Sequence, residues 1–540
     1  MRIRRHLRQE QLRNRPALSE GCSTSKGTAM ILAVDIGTSR AKAGLFDNSG
    51  TCRGIASADY GELGTGQSNG IEIDARLWLH ALKSLVADLS PALAGEALRA
   101  VVICGNGPTI LAVDRAGEPL APAMSWLDRR ATVEAREASQ KLGHSIDAAF
   151  NLPKILWLRN HRPELYERAQ LFVSCPEFVA GRLTGTWTTC VPNAGYTAII
   201  WDEASLRTFG LDERKFPPSV PIGSIVGEVH RSAASEFGLP QGIPVIMAGP
   251  DFFASLLGTA TVAPGRTCDK GGTSEGINLC AERPISPPAG TIGSGSADGL
   301  AHEEHAHRSN ASAEIRSLLV MPHIIEPYYN ISGVISTSGK ALAWFRDTFM
   351  PGASFESIYA RAAAVQPGAD GLVFLPYLAG ERTPHWDPDA SALFLGLRLE
   401  HTRDHMARAV LEGVAFAIRD VILAMESAGA RPVDLRATGM PSLSPLWNQI
   451  KADITGLPLM VPQFGEPELA GCFAIGLKAL GEAWSFSQAA EFVFKPGTSY
   501  EPRRSTASRY EELFHVYRES YARLSDLFPL LRKTSLNYSE

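Results

Sequence analysis

No apolar run in this 540-residue chain approaches the ~20 residues needed to span a bilayer, so a helical membrane anchor is excluded. Charge is sparse and nearly balanced: 20% of residues are charged and the formal net charge is -5, which leaves no basic excess to recruit nucleic acid. The eight cysteines stand singly, without a CxxC pair. Neither a disulfide framework nor a zinc site is therefore indicated, and a reducing cytoplasm fits this usage. The Arg-rich first 29 residues lack the apolar core of a secretory signal. They are expected to form a disordered extension ahead of Met30, with no part in catalysis.

The length exceeds what one hydrophobic core supports, and two large domains are expected. Ile31–Asp47, ILAVDIGTSRAKAGLFD, sets the organisation. Two apolar runs flank a Gly/Thr/Ser turn, which reads as a β-hairpin. Its tip offers backbone N–H groups, two hydroxyls and the carboxylate of Asp35, an inventory suited to a phosphate chain and its Mg²⁺. Helical spacing of Leu77, Trp78, Ala81, Leu82 and Leu85 follows, with Asp74 as a plausible N-cap, and then a strand over Leu98–Cys104. Repeated strand–helix–strand alternation implies an α/β fold.

Pro244–Ala248 reads as a strand that runs through Gly249 and Pro250 into a helix starting at Asp251. A carboxylate in the first turn of a helix is favoured as the anion by unpaired N–H groups and the macrodipole. Such a group can align an acceptor hydroxyl and take its proton, or it can simply cap the helix. A second Gly/Thr/Ser turn, Gly272-Thr273-Ser274, echoes the first, and Glu275 beside it is unusual company for an anion. Residues 284–315 are rich in Pro, Gly, Ser and Ala. Their His302, His305 and His307, with Glu303 and Glu304, read as a solvated loop rather than a metal site. Downstream, a strand ending in Gly439 opens onto a helix carrying Trp447, Asn448, Gln449 and Asp453, but Met440 and Pro441 follow the glycine. Pro removes an N–H donor and Met adds bulk at that turn.

The order of these stretches resembles the FGGY carbohydrate kinases, xylulokinase-like members above all, over nearly the whole chain from Met30. The most specific local match is Ala392–Leu397 with His405, Ala409 and Glu412 behind it, which fits the family's second signature. The resemblance implies two ribonuclease-H-like (actin-like ATPase) domains with a deep cleft between them, at 30–283 and 316–540 around the 284–315 loop. It further implies ATP and Mg²⁺, with Asp35 near the metal and Asp251 as general base. Phosphate binding falls to Gly37, Thr38, Ser39, Lys42, Gly272, Thr273 and Ser274, both turns being taken as parts of one domain. Adenosine binding falls to Gly439, Asn448 and Gln449, with the small-residue helix Leu469–Ala474 beneath the adenine. Asn106, Asp128 and Asp251 are the substrate-contact candidates; Asp128 and Arg129 equally read as caps of the next helix. Lys154, in a segment like the first signature, reads as a solvated lysine on a packing helix.

The substrate expected is a small sugar or polyol: a ketopentose such as xylulose first, with gluconate, another ketose, erythritol or glycerol open. The loop Gly105–Thr109 departs from the family in lacking large polar residues, which bears on the substrate and not the reaction. A homodimer is a candidate assembly. A sugar-binding regulator that lost turnover is the competing class, favoured by Met440 and Pro441 and opposed by Asp35, Asp251 and both turns. A chaperone-type ATPase is disfavoured, since nothing like a peptide-binding domain follows.

Overall fold

The computed structural model describes residues 29–60, 64–65, 70–93, 95–143, 146–192, 196, 200–285 and 317–537. The expected N-terminal extension and nearly all of the 284–315 loop, with its His and Glu residues, lie outside the described residues.

Two sheets carry the molecule. The first is built from β1 (Ala29–Ile36), β2 (Arg40–Phe46), β3 (Cys52–Asp59), β4 (Ala97–Gly105), β5 (Ile225–Glu228) and β6 (Pro244–Pro250). Its strand order is β5-β6-β4-β1-β2-β3. β1 pairs parallel with β4 and antiparallel with β2, while β6 runs parallel to β4. The last seven residues of β1 are all buried, as expected for a strand covered on both faces. One cover is α1 (Arg76–Leu89), which buries Trp78, Leu82 and Leu85 as its spacing predicts. Asp74 accepts from the Arg76 N–H at 3.0 Å, although the helix is entered through Ala75. Three more helices of this half matter to the site: α2 (Asn151–His161), α3 (Cys175–Thr184) and α4 (Asp251–Gly258).

The second sheet contains β7 (Thr267–Gly271), β8 (Glu275–Ala281), β9 (Leu319–Pro322), β10 (Tyr329–Ile335), β11 (Leu435–Thr438), β12 (Leu459–Pro462) and β13 (Pro496–Tyr500), in the order β9-β10-β8-β7-β11-β12-β13. Its helices include α5 (Gly339–Phe349), α6 (Phe355–Ala363), α7 (Arg403–Ser427) and α8 (Pro445–Thr455), whereas α9 (Pro467–Ala479), next in the chain, returns to the first sheet. The two sheets repeat one plan. A hairpin (β1–β2, then β7–β8) is flanked on one side by a parallel strand that ends at or runs into a glycine, Gly105 in the first sheet and Gly439 in the second.

Two expectations change here. The boundary at residue 283 places the Gly272–Ser274 hairpin in the N-terminal domain, but its strands pair with β10 and β11 of the second sheet. The two turns therefore come from different sheets. The helix expected beneath the adenine lies in α9, whose Leu469, Cys472, Phe473 and Ile475 sit in the first sheet's core. α9 packs backbone to backbone on α4: a Cβ on Gly471 would fall 1.8 Å from the Ala254 carbonyl oxygen, and one on Gly258 would fall 1.9 Å from that of Pro467. The small residues serve that close approach.

Candidate active site

The first turn is held from below. A Cβ on Gly37 would stand 2.6 Å from the Arg40 carbonyl oxygen, so the hairpin closes only over glycine. Asn106, at the end of β4, donates its amide to the carbonyls of Ile36 (3.0 Å) and Gly37 (3.1 Å) and accepts from the Thr109 hydroxyl at 2.5 Å. Expected as a polyol contact, it is spent on fixing the turn. Asp128 is likewise spent: it is buried, accepts from the Ile71 N–H at 3.1 Å and pairs with Arg130 at 2.6 Å. It caps no helix, since the following helix begins at Thr132 behind Ala131. The Trp126 indole donates to the Thr38 hydroxyl oxygen at 2.8 Å, and Lys42 pairs with Glu466 at the start of α9.

Asp35 is buried at the end of β1. Burial and the nearby Glu468 and Asp251 carboxylates push its pKa well above the usual range. Asp251 opens α4 with 24% of its side chain exposed, and Lys270 from β7 reaches it at 3.6 Å. The same ammonium is 2.8 Å from Glu468, near the start of α9, and Glu468 also accepts from Ser255 at 2.9 Å. For Asp251 burial outweighs the Lys270 attraction and its pKa is raised. For Glu468 the lysine outweighs burial and holds the carboxyl down to about 2. Burial opposes the Lys270 charge, but Asp251 and Glu468 overcome it and keep the ammonium protonated. Asp35 and Asp251 thus share one charge cluster, with Lys270 supplied from the opposite sheet.

The second turn leans on α5. The Ser338 and Lys340 N–H groups donate to the Thr273 carbonyl at 3.0 and 3.3 Å, and that of Gly339 donates to Gly272 at 2.9 Å. Glu275 turns away from the tip into the core, where it meets Lys451 and Ser338. Beside the turn lies a cavity of about 630 Å³, walled by Phe355, Tyr359, Pro441, Leu446 and Trp447 and reached by Gly272 and Thr273. An aromatic and aliphatic cavity with a hydroxyl-bearing turn at its edge suits a base and its phosphate tail. Gly439 is required by its backbone: φ is +77°, and a Cβ would lie 1.8 Å from the Gly271 carbonyl oxygen. Met440 and Pro441 wall the cavity without filling it. Asn448 and Gln449 do not line it. Asn448 donates to the Ser442 carbonyl at 2.7 Å, and Gln449 donates to Asp453 and to the Glu501 carbonyl, both at 2.9 Å.

Three residues of this region are absent from the sequence-predicted set. Lys270 and Glu468 stand next to recognised motifs, but only the folded contact between sheets reveals them. Lys154, expected to be solvated, is fully buried in α2 and donates to the carbonyls of Pro108 (2.8 Å) and Ser125 (2.6 Å). Burial lowers its pKa to about 7. It ties together the two loops that carry Asn106 and Asp128; its place before a Trp in the signature-like segment was the available signal.

The N-terminal domain of the FGGY family of carbohydrate kinases matches residues 30–258, and the family's C-terminal domain matches residues 289–480. The chain belongs to the FGGY family of carbohydrate kinases. Sugar kinase activity and use of ATP go with that membership. Among similar proteins, a xylulose kinase of Lactococcus lactis subsp. lactis is 27% identical over 92% of this chain and 97% of its own. A gluconokinase of Bacillus subtilis is 26% identical over 91% and 95%. In structure, xylulose kinase from Lactobacillus acidophilus superposes with a TM-score of 0.80, covering 93% of this chain and all of that one at 23% identity, a likeness of fold. Among the described residues of this FGGY kinase, no helix is long and apolar enough to cross a membrane.

Proposed function

We propose that this FGGY kinase transfers the γ-phosphoryl group of ATP to a hydroxyl of a ketopentose such as D-xylulose. The observation that carries this is the Asp251–Lys270 contact, because it brings the candidate base against the strand that leads into the second phosphate turn. In the reaction the acceptor oxygen bonds to the γ-phosphorus and the bond to the β,γ-bridging oxygen breaks. ADP departs with that electron pair, and the hydroxyl proton passes to Asp251. The two turns grip the phosphates from opposite sheets, and the 630 Å³ cavity takes the adenosine. Its open volume supports a nucleotide-using kinase over a regulator whose site Met440 and Pro441 have closed.

Mg²⁺ fits this site. Asp35, Asp251 and Glu468 stand as three carboxylates about the one Lys270 ammonium, and Asp35, whose pKa is raised first by burial and then by the other two carboxylates, would be relieved as an anion by a divalent cation. Asp35 would hold the ion through its water shell, and the bound ion would neutralise phosphate charge. The described cysteines are all unpaired, which supports a reducing compartment supplied with ATP, such as the cytoplasm.

The xylulose preference rests on the xylulose kinase relatives, with gluconate as the competitor named by the gluconokinase. A coupled assay of ADP release over D-xylulose, other ketoses, gluconate, erythritol and glycerol tests it. The highest kcat/KM is expected with xylulose, and Asp251→Asn should lower kcat by about 10³-fold while sugar binding persists. ADP release with none of these acceptors would overturn the kinase reading, and a preference for gluconate would replace the substrate.

A further inference from the structure

We propose that Lys270 is a catalytic residue that binds the phosphoryl group during transfer. This rests on the kinase reading above and adds a cation to the machinery. An acceptor hydroxyl that gives its proton to Asp251 lies roughly 3 Å from that carboxylate, and the phosphorus it attacks lies a further 3–3.5 Å along the line. The Lys270 nitrogen is already 3.6 Å from Asp251 Oδ2. A phosphoryl group in line with that hydroxyl, delivered from the side of β7 and its Gly272–Ser274 turn, passes within a few ångströms of the ammonium.

The chain prepares the contact in three ways. Lys270 sits two residues before Gly272 on β7, so ammonium and phosphate turn move as one strand. Glu468, itself held by Ser255, takes one of the three ammonium protons at 2.8 Å, and the 3.6 Å approach to Asp251 is loose. At least one N–H stays uncommitted. Finally, 34% of the Lys270 side chain is exposed, so the residue is not sealed off as Lys451 is. A lysine serving only as a clamp between halves would be expected to saturate its donors and bury its head. As the in-line transfer described above proceeds, charge moves onto the equatorial and bridging oxygens. The ammonium, its proton retained, donates hydrogen bonds to them, an interaction stronger there than in the ground state.

The competing role is charge balance: Lys270 could merely neutralise Glu468. Steady-state ADP release and thermal midpoints of the wild type, K270R, K270M and the double variant K270M/E468Q separate the two. K270M is expected to lower kcat on the order of 100-fold with KM for the sugar within about threefold, and K270R to recover part of the loss. The double variant removes both charges and should regain the thermal midpoint lost by K270M without regaining kcat. If K270M fails to fold, the kcat of the double variant decides between the two roles. A kcat for K270M within about threefold of wild type, or its restoration in K270M/E468Q, overturns the catalytic role and leaves the kinase reading standing. A wild type that releases no ADP with any sugar overturns both.

Discussion

Two adjacent residues of β7 place a lysine between carboxylates on opposite faces of one strand, with opposite outcomes. Asp269 projects to one side, where Lys451 from α8 pairs with it at 2.8 Å and with Glu275, all three fully buried. Lys270 projects to the other side, toward Asp251 and Glu468, with 34% of its side chain exposed. Alternation of side chains along a strand turns neighbours in sequence into members of separate clusters. The sealed cluster balances its charges internally. Burial pushes the Asp269 carboxyl well up, while Lys451 and Ser338 overcome burial and keep Glu275 below its usual value. The open cluster has carboxylates in excess and room for a ligand. Similar groups hold the second turn on one face of β7 and face its phosphates on the other.

The sharpest way to break this comparison is to remove each lysine. Lys451→Met strands two buried carboxyls and should lower the unfolding free energy by about 3–5 kcal/mol in denaturant titration. Lys270→Met leaves Glu468 without the cation that holds it ionised, but at a cluster that stays partly exposed, and should cost less, about 2–3 kcal/mol in the same titration. Equal losses would mean that both clusters are scaffold.

Acid sharpens the contrast next. Glu468 has a folded pKa of about 2 against an ordinary value of 4.5. Its contribution, about 3 kcal/mol, is therefore complete above pH 4.5 and lost as pH falls from 4.5 toward 2. Denaturant midpoints across that range should show this limb in the wild type and a flatter one in Glu468→Gln.

The smallest effect expected is at the nucleotide end. Gly439→Ala places a methyl against the Gly271 carbonyl oxygen at positive φ, so the turn must shift, which should raise KM for ATP severalfold and KM for the sugar less. An unchanged KM for ATP would detach that turn from nucleotide binding.

The two hairpins, the α/β alternation and the strand-to-helix setting of Asp251 were legible in the sequence, because apolar runs broken by Gly/Thr/Ser declare their own local geometry. What escaped was long-range. Nothing near Gly272 says that β7 pairs with β11, more than 160 residues later, so the second turn was assigned to the wrong sheet. The composition of Leu469–Ala474 announces close packing but not its partner, which is α4. Asn106 and Asp128 show the same limit: a polar side chain in a loop reads as available until the fold reveals the backbone groups and the Arg130 guanidinium that occupy it. Lys154 errs in the other direction, a charge presumed solvated that lies buried against two carbonyls.

The central claim is that turns from two sheets close on one carboxylate. A crystal structure with a non-hydrolysable ATP analogue, Mg²⁺ and D-xylulose tests it most directly. The account predicts adenine in the cavity beside Tyr359 and Pro441, the γ-phosphate between Gly37–Ser39 and Gly272–Ser274, and a sugar hydroxyl within hydrogen-bond distance of Asp251. A γ-phosphate touching only one turn, or a sugar bound away from Asp251, would contradict it.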